Sequence, residues 1–337
     1  MKKKLYWQLP FLLFLIIGTV VIVRQQRSTP YQHDEGQVFG TFYHITYQND
    51  SCLNNEILAE LAKVDSALSM FNKESIISRI NKGENVETNE MFNTVFSLAE
   101  NIADNTNGAF DITVAPLVNA WGFGFKTGNP PSKATIDSLR SVVGYKKVSL
   151  KNNHISKTDP RVMLDCSAIA KGYGCDVVAA LLRRHGIDNY LVEIGGEVVA
   201  KGISEKRLPW KIGVTKPSDD SLAVDKELQT VLNVKNMAMA TSGNYRNFYY
   251  KNGKKYAHTI DPKTGYPVQH NILSATVLAK HCAEADAYAT SFMVMGLDKA
   301  KQVLDKHPEL MAYLIYADHK GNMQVWYSPS MKDKILK

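Results

Sequence analysis

The sequence predicts a fold that mixes helices and strands. Helical-period stretches and strand-like stretches both recur along the chain, nothing repeats at a fixed period, and neither a G-x-G-x-x-G nor a G-x-x-x-x-G-K-[ST] loop marks a Rossmann or P-loop sheet. With 337 residues the chain can bury a large core, as one big domain or two intimate ones.

The chain opens MKKK and continues with an apolar run, Leu5 to Val23, broken only by Gln8 and Pro10; RQQR follows. That length is close to the ~20 residues a helix needs to cross a bilayer. Basic residues ahead of it predict a cytoplasmic N-terminus and an exported body. No A-x-A-like cleavage site and no cysteine follow closely, so residues 1–27 are expected to be an uncleaved signal anchor rather than a cleaved signal peptide. Residues 28–36 are expected to be a polar tether, and 37–337 the working body.

Gln37 to Tyr47 alternates like a strand. Ile57, Leu61, Val64 and Leu68 then recur at helical spacing, and the helix should end near Met70 and Phe71. Ser75 to Asn81 is a second helical piece; Met91, Val95, Leu98 and Ile102 give a third, stopped by Asn107 and Gly108. Gly108 to Phe125, GAFDITVAPLVNAWGFGF, is too apolar for a surface loop and too rich in Gly and Pro for a helix. It predicts a buried connection, either plain core or the wall of a ligand pocket. Pro131 and Ser132 open a helix through Val142, and Lys147 to Lys157 reads as a hairpin turning at Asn152 and Asn153.

Leu164 to Asp176, LDCSAIAKGYGCD, is the stretch around which the rest is organised. A short apolar run feeds a helix that Ser167 is placed to cap. Such a start aims free N–H groups and the positive end of the helix dipole at whatever lies beyond, a seat for an anion. Lys171 falls in the first turn, where a positive charge does not help the helix. It either faces solvent or has an anionic partner such as a phosphate.

Asn189 to Gly202 is a strand interrupted by Gly195 and Gly196, where backbone can approach another group closely. Trp210 to Val214 and Gln229 to Val234 are strands, and Met237 to Tyr245, MAMATSGNY, brings two hydroxyls to a turn. Phe248 to Ile260 is a hairpin through Asn252 and Gly253 with His258 in its second strand, and Asp261 to Pro267 is a tight turn. Ser274 to Ala279 is a strand, Ala283 to Met295 and Asp298 to Lys306 are helices, and two strands flank His319 to Asn322.

The net charge of +7 does not signal nucleic acid. Lys2, Lys3, Lys4, Arg24 and Arg27 lie in the first 27 residues without an acid among them, which leaves 35 basic against 33 acidic residues in the body and no basic block. Cys52, Cys166, Cys175 and Cys282 form no C-x-x-C metal pattern and read as buried thiols. If residues 166–175 are helical, the two cysteines there stand roughly 13 Å apart, beyond disulfide reach.

Asp286 and Thr290 are four apart in AEADAYATSFMVMG, so a carboxylate and a hydroxyl rise from one helix face. A carboxylate among small apolar residues is costly unless paired or bound to a cation, and two hard oxygen donors suit Mg²⁺. Taken alone, however, they read better as an acid answering the helix dipole and a hydroxyl bonded back to its own helix. His258 is either a satisfied structural histidine or, beside a reacting hydroxyl, a general base.

Eight blocks occur in order: FGT (Phe39–Thr41), MFNKESIISRIN (Met70–Asn81), GAFDITVAPLVNAWGFG (Gly108–Gly124), LDCSAIAKGYGCD, VEIGGE (Val192–Glu197), ATSGNYR (Ala240–Arg246), HTIDPKTGYP (His258–Pro267) and ADAYAT (Ala285–Thr290). On them the chain resembles the ApbE-type flavin transferases, the FAD:protein FMN transferases. The resemblance implies a compact α+β body with mixed sheets and helices around a flavin-nucleotide cleft. It also implies Mg²⁺-dependent transfer of the FMN half of FAD to a Ser or Thr hydroxyl of an acceptor protein, leaving a phosphoester and releasing AMP. Carried over residue by residue, the metal ligands are Asp286, Thr290 and the Ala168 carbonyl. Flavin-nucleotide contacts fall on Phe39, Phe71, Ala109, Phe110, Asp111, Asp165, Lys171 and Ile260, and His258 takes the place of the proposed base. The implied acceptors are exported, flavin-carrying subunits of ion-pumping redox complexes, met on the periplasmic face of a bacterial inner membrane. Phe39 stands where Met is frequent, Asn244 where Asp is common, and Glu197 where Asp or Asn is frequent. FAD hydrolysis to FMN and AMP, and flavin binding without turnover, are the competing readings.

Overall fold

The computed structural model describes residues 10–19, 29–124, 130–217, 227–244, 248–251, 254–269 and 271–336. Its frame is an eight-stranded sheet ordered β1-β2-β5-β6-β9-β12-β13-β14. These strands are β1 Tyr31–Val38, β2 Thr41–Gln48, β5 Tyr190–Ile194, β6 Glu197–Lys201, β9 Met237–Gly243, β12 Ile272–Ala279, β13 Met311–Ala317 and β14 Met323–Tyr327. Three two-stranded ribbons accompany it: β3 Val148–Lys151 with β4 His154–Lys157, β7 Trp210–Thr215 with β8 Leu228–Val234, and β10 Phe248–Lys251 with β11 Lys254–Ala257. The α+β class holds, but the expected mixed sheets are antiparallel in every described pairing. Each hairpin or longer excursion returns the chain to the end of the sheet it left, which sets neighbours antiparallel.

Helices cover one face. The principal ones are α1 Asn54–Leu68, α2 Ile76–Asn81, α3 Glu90–Asn105, α4 Ala115–Ala120, α5 Lys133–Arg140, α6 Ala170–Arg184, α7 Cys282–Met295 and α8 Leu297–Lys306. Helix α7 lies directly on β9 and β12, and α6 packs against α7, β5 and β6. Small residues make this approach possible: Ala240 and Ala275 of the sheet meet Ala285 and Ala289 of α7 in one buried cluster. On the opposite face the β7–β8 ribbon brings Trp210, Val214 and Leu232 against Met239, Leu278 and Ile315. The result is three layers, with β9 and β12 buried on both sides.

The helices match the hydrophobic periods. Ser75, Asn89 and Ser132 cap α2, α3 and α5, each accepting a backbone N–H three residues on. Differences fall where the chain turns. The single strand expected over Gln37 to Tyr47 is a hairpin, with Phe39 (φ 52°) and Gly40 (φ 73°) as its two-residue loop. Gly195 (φ 64°) and Gly196 (φ 103°) make the same kind of loop between β5 and β6. Two left-handed residues in succession match the natural twist of paired strands. Residues 31–36, expected to be tether, belong to β1, held in part by the Tyr47 hydroxyl donating to buried Asp34 at 2.8 Å. Met237 to Gly243, read as a turn, is a central strand. His258 follows β11 rather than lying within it.

At the N-terminus residues 10–19 are helical, with Phe11 to Ile17 exposed; the rest of the expected 5–23 span lies outside the described residues. Among the described residues no helix is long and apolar enough to cross a membrane. Their cysteines are all free: Cys166, Cys175 and Cys282 are buried as expected, while Cys52 is exposed.

On α3, half-buried Glu100 has one carboxylate oxygen enclosed without a hydrogen-bond partner. Burial pushes its pKa from 4.5 up to about 7; Lys146 partly opposes this, and Asp111 and Asp104 add to it. The folded state therefore keeps a proton that the unfolded chain releases near pH 4.5. This contribution to stability is full below that pH and is lost as pH rises through about 7. Between pH 5 and pH 8 the thermal midpoint of the wild type should fall further than that of Glu100→Gln; equal falls in the two proteins would sink the assignment.

Candidate active site

Strands and helices converge on a cleft of about 450 Å³. Its wall includes Met70, Phe71, Ala109, Phe110, Asp111, Asp165, Ala168, Lys171, Glu197, Ser242, His258, Ile260, Asp286 and Thr290. Of the catalytic, flavin-contact and metal residues expected from the sequence, only Phe39 is off the wall. It stands at the β1–β2 turn with its ring over Gly174, where a β-carbon would come within 2.8 Å of the ring.

The segment before α6 is held by one long-range and one local bond. The Asp165 N–H donates to the Ile112 carbonyl at 2.6 Å, and the Asp165 carboxylate accepts the Ser167 N–H at 2.7 Å. Helix α6 begins at Ala170, later than expected, because the turns at 167–169 come first and Ser167 is not its cap. Burial raises the Asp165 pKa, and its contacts with Ser167 oppose the rise.

The next turn joins two helices. Gly172 donates its N–H to Asp286 Oδ2 at 3.2 Å instead of to the Ala168 carbonyl four residues back. Tyr173 does bond Ile169, at 3.0 Å. Among the described backbone bonds the Ala168 carbonyl therefore has no helical donor, and it is free to accept another group. A β-carbon on Gly172 would lie 2.4 Å from the Cys282 carbonyl oxygen, so glycine lets α6 touch the start of α7. Asp176, four residues on and on the same face, accepts the N–H groups of Cys282 and Ala283, each at 2.9 Å. Helix α7 has no side-chain cap of its own, so a carboxylate from α6 satisfies its first donors and its dipole.

The neighbouring face of α6 meets β6. Lys171 Nζ lies 2.7 Å from Glu197 Oε1, with the Glu197 side chain only 3% exposed and that of Lys171 31%. One helical turn on, the Cys175 thiol donates to the Glu197 carbonyl at 3.2 Å. Burial by itself would lower the Lys171 pKa; the charges of Asp286 and Glu197 outweigh it and hold the ammonium above its ordinary range. Burial raises the Asp286 pKa, against the pull of Lys171 and the Gly172 N–H. The Thr290 and Ser242 hydroxyls are 3.1 Å apart.

Opposite lies the apolar wall. Gly108 to Gly124 is a buried connection as expected, with the short helix α4 inside it. Asp111 accepts the Thr113 N–H at 2.8 Å, the Thr113 hydroxyl at 2.6 Å and the Tyr145 N–H at 2.9 Å, which ties the connection down. Trp121 Nε1 donates to the Gly265 carbonyl at 2.7 Å and so fixes the 261–267 turn beside His258. The His258 ring meets the Phe123 ring edge-on, centroids 6.4 Å apart. Phe71 stands at the mouth, 73% exposed.

Sequence reasoning missed Glu197, Ser242 and Asp176 as site residues. An acid directly after paired glycines and a hydroxyl in a run of small residues were visible signals for the first two. Asp176 had only its i,i+4 spacing from Gly172.

Among the described residues no cluster of three or more His, Cys, Asp or Glu side chains could hold a metal ion. The oxygen set of Asp286, Thr290 and the Ala168 carbonyl nevertheless fits a hard cation: a buried carboxylate, a hydroxyl and a carbonyl released by its helix, all on one wall.

A sequence model described as the ApbE family matches residues 39–315. A FAD:protein FMN transferase of Haemophilus influenzae is 39% identical over 313 residues, 88% of this chain and 89% of that protein. One from Escherichia coli K12 is 34% identical over 316 residues, covering 90% and 88%. Among solved structures, the flavin transferase ApbE of Vibrio cholerae superposes with a TM-score of 0.82 at 34% identity, over 90% of this chain and 99% of that one. The Pseudomonas stutzeri flavinyl transferase ApbE, in its apo form, gives 0.81 at 27% identity, over 92% and 98%.

Asp176→Ala would strip the cap from α7. It should lower unfolding free energy by about 1–3 kcal/mol, the cost of leaving enclosed donors unmet. Denaturant titration measures this, and an unchanged midpoint would mean that the cap carries no weight.

Proposed function

We propose a function from one premise: the chain belongs to the ApbE family. It is a transferase that moves the FMN part of FAD onto a protein. The observation that carries a mechanism is the gathering in one cleft of a half-buried cation (Lys171), three hard-oxygen donors (Ala168, Asp286, Thr290), an imidazole (His258) and an apolar wall (Phe110, Ile260).

In the proposed reaction the oxygen of an acceptor Ser or Thr bonds to the FMN-side phosphorus. The bridging bond to the AMP phosphate breaks, and AMP leaves. Lys171 and the start of α6 neutralise the diphosphate, while the apolar wall holds the flavin ring and keeps water from it. His258, fixed beside the 261–267 turn, takes the proton of the attacking hydroxyl, since an imidazole exchanges protons near neutral pH. Mg²⁺, held by Asp286, Thr290 and the Ala168 carbonyl, would supply positive charge to the phosphates. Phosphoryl transfer depends mainly on positioning and charge neutralisation, so no covalent enzyme nucleophile is needed.

Incubation with FAD, Mg²⁺ and an exported flavin-carrier domain should raise the mass of the acceptor by FMN less water. Asp286→Asn should abolish the gain, and His258→Ala should slow it by roughly 10²–10⁴-fold. Free FMN and AMP beside an unmodified acceptor would make the protein a hydrolase instead, and intact FAD would make it a carrier.

The acceptors we propose are subunits of ion-pumping redox complexes, met on the periplasmic side of an inner membrane. The apolar run within residues 1–27 would anchor the catalytic body there; the lysines ahead of it and the helical, apolar 10–19 stretch support that placement. Carbonate washing of membranes should leave the full chain in the pellet, and its release into the wash would refute the anchor.

A further inference from the structure

Lys171 stands between two buried carboxylates, each with a claim on its ammonium. Asp286 accepts the N–H of the very next residue, Gly172, and its charge acts strongly on Lys171. The ammonium nevertheless bonds Glu197 Oε1, at 2.7 Å. Glu197 itself is fixed. It follows the Gly195–Gly196 loop, its carbonyl accepts the Cys175 thiol at 3.2 Å, and Lys171 and Cys175 share one face of α6. The choice of partner matters because an ammonium seated on Asp286 would occupy a carboxylate otherwise open to a cation, and would place a like charge where the cation sits.

Resting on the cation site proposed above, we infer that Glu197 is a positioning residue: it tethers the Lys171 ammonium to β6 and so keeps Asp286 open for a divalent ion. The tether also aims the remaining donors of Lys171 into the cleft, toward an incoming diphosphate. One carboxylate thereby serves an anion site and a cation site without touching either ligand.

The test is calorimetric titration of Mg²⁺ into the full chain without FAD. The wild type should bind, and Asp286→Asn should not. Glu197→Gln should weaken Mg²⁺ binding about tenfold, a loss of about 1.4 kcal/mol. Adding Lys171→Met to Glu197→Gln should restore it, because the displaced ammonium is gone. Glu197→Asp keeps the charge but is one methylene shorter, so it should also bind Mg²⁺ more weakly than the wild type. Thermal unfolding of each variant separates loss of the tether from loss of the fold, and Glu197→Asp keeps the test open if the Gln variant does not fold. A wild type that fails to bind Mg²⁺ removes the cation site and the tether together. Wild-type binding that Asp286→Asn abolishes but Glu197→Gln leaves unchanged sinks the tether alone, as does wild-type affinity in Glu197→Asp.

Discussion

The site depends on how closely α6 can approach the first turn of α7. Gly172 removes the β-carbon that would strike the Cys282 carbonyl, and Asp176 closes over the two N–H groups that begin α7. With that contact made, Asp286 comes within reach of the Gly172 N–H, and the Ala168 carbonyl is left without its helical donor. The same close approach encloses Asp286, and desolvation then raises its pKa. A carboxylate enclosed in this way gains most from a cation.

The sheet decides what faces this joint. Because β5, β6 and β9 are antiparallel neighbours, the Gly195–Gly196 loop brings Glu197 to the first turn of α6, while β9 presents Ser242 to Thr290 on α7. Side chains of β9 and β12 are small where α7 lies on them, so the hydroxyls and carboxylates reach the cleft from backbone held on both faces. Function residues thus sit on rigid elements or on turns pinned by them, as the Trp121 bond to the Gly265 carbonyl pins the turn beside His258.

Errors of the sequence reading have two causes. Phe39–Gly40 carries no turn signal, because phenylalanine seldom takes a left-handed conformation, and here it does so with its ring packed over Gly174. MAMATSG looked like a turn because small residues and hydroxyls usually mark one. In the fold they serve close packing under α7. Ser167 had the chemistry of a cap, yet the Asx turn at Asp165 delays the helix to Ala170. In the first two cases a tertiary neighbour outweighed a local preference, and at Ser167 a competing local bond did.

By itself the sequence determined the helices whose apolar residues recur at helical spacing, the helix starts at Ser75 and Ser132, and the family blocks that contain Lys171, His258, Asp286 and Thr290. Those features are local, since period, cap and motif are properties of neighbouring residues. Only the tertiary structure decided that Lys171 pairs with Glu197, that Asp176 caps a helix 106 residues away, and that Phe39 lies off the cleft wall. Such pairings follow from strand order and from which helix can approach which. Approach distances are set by packing across the whole core, and no window of sequence contains them.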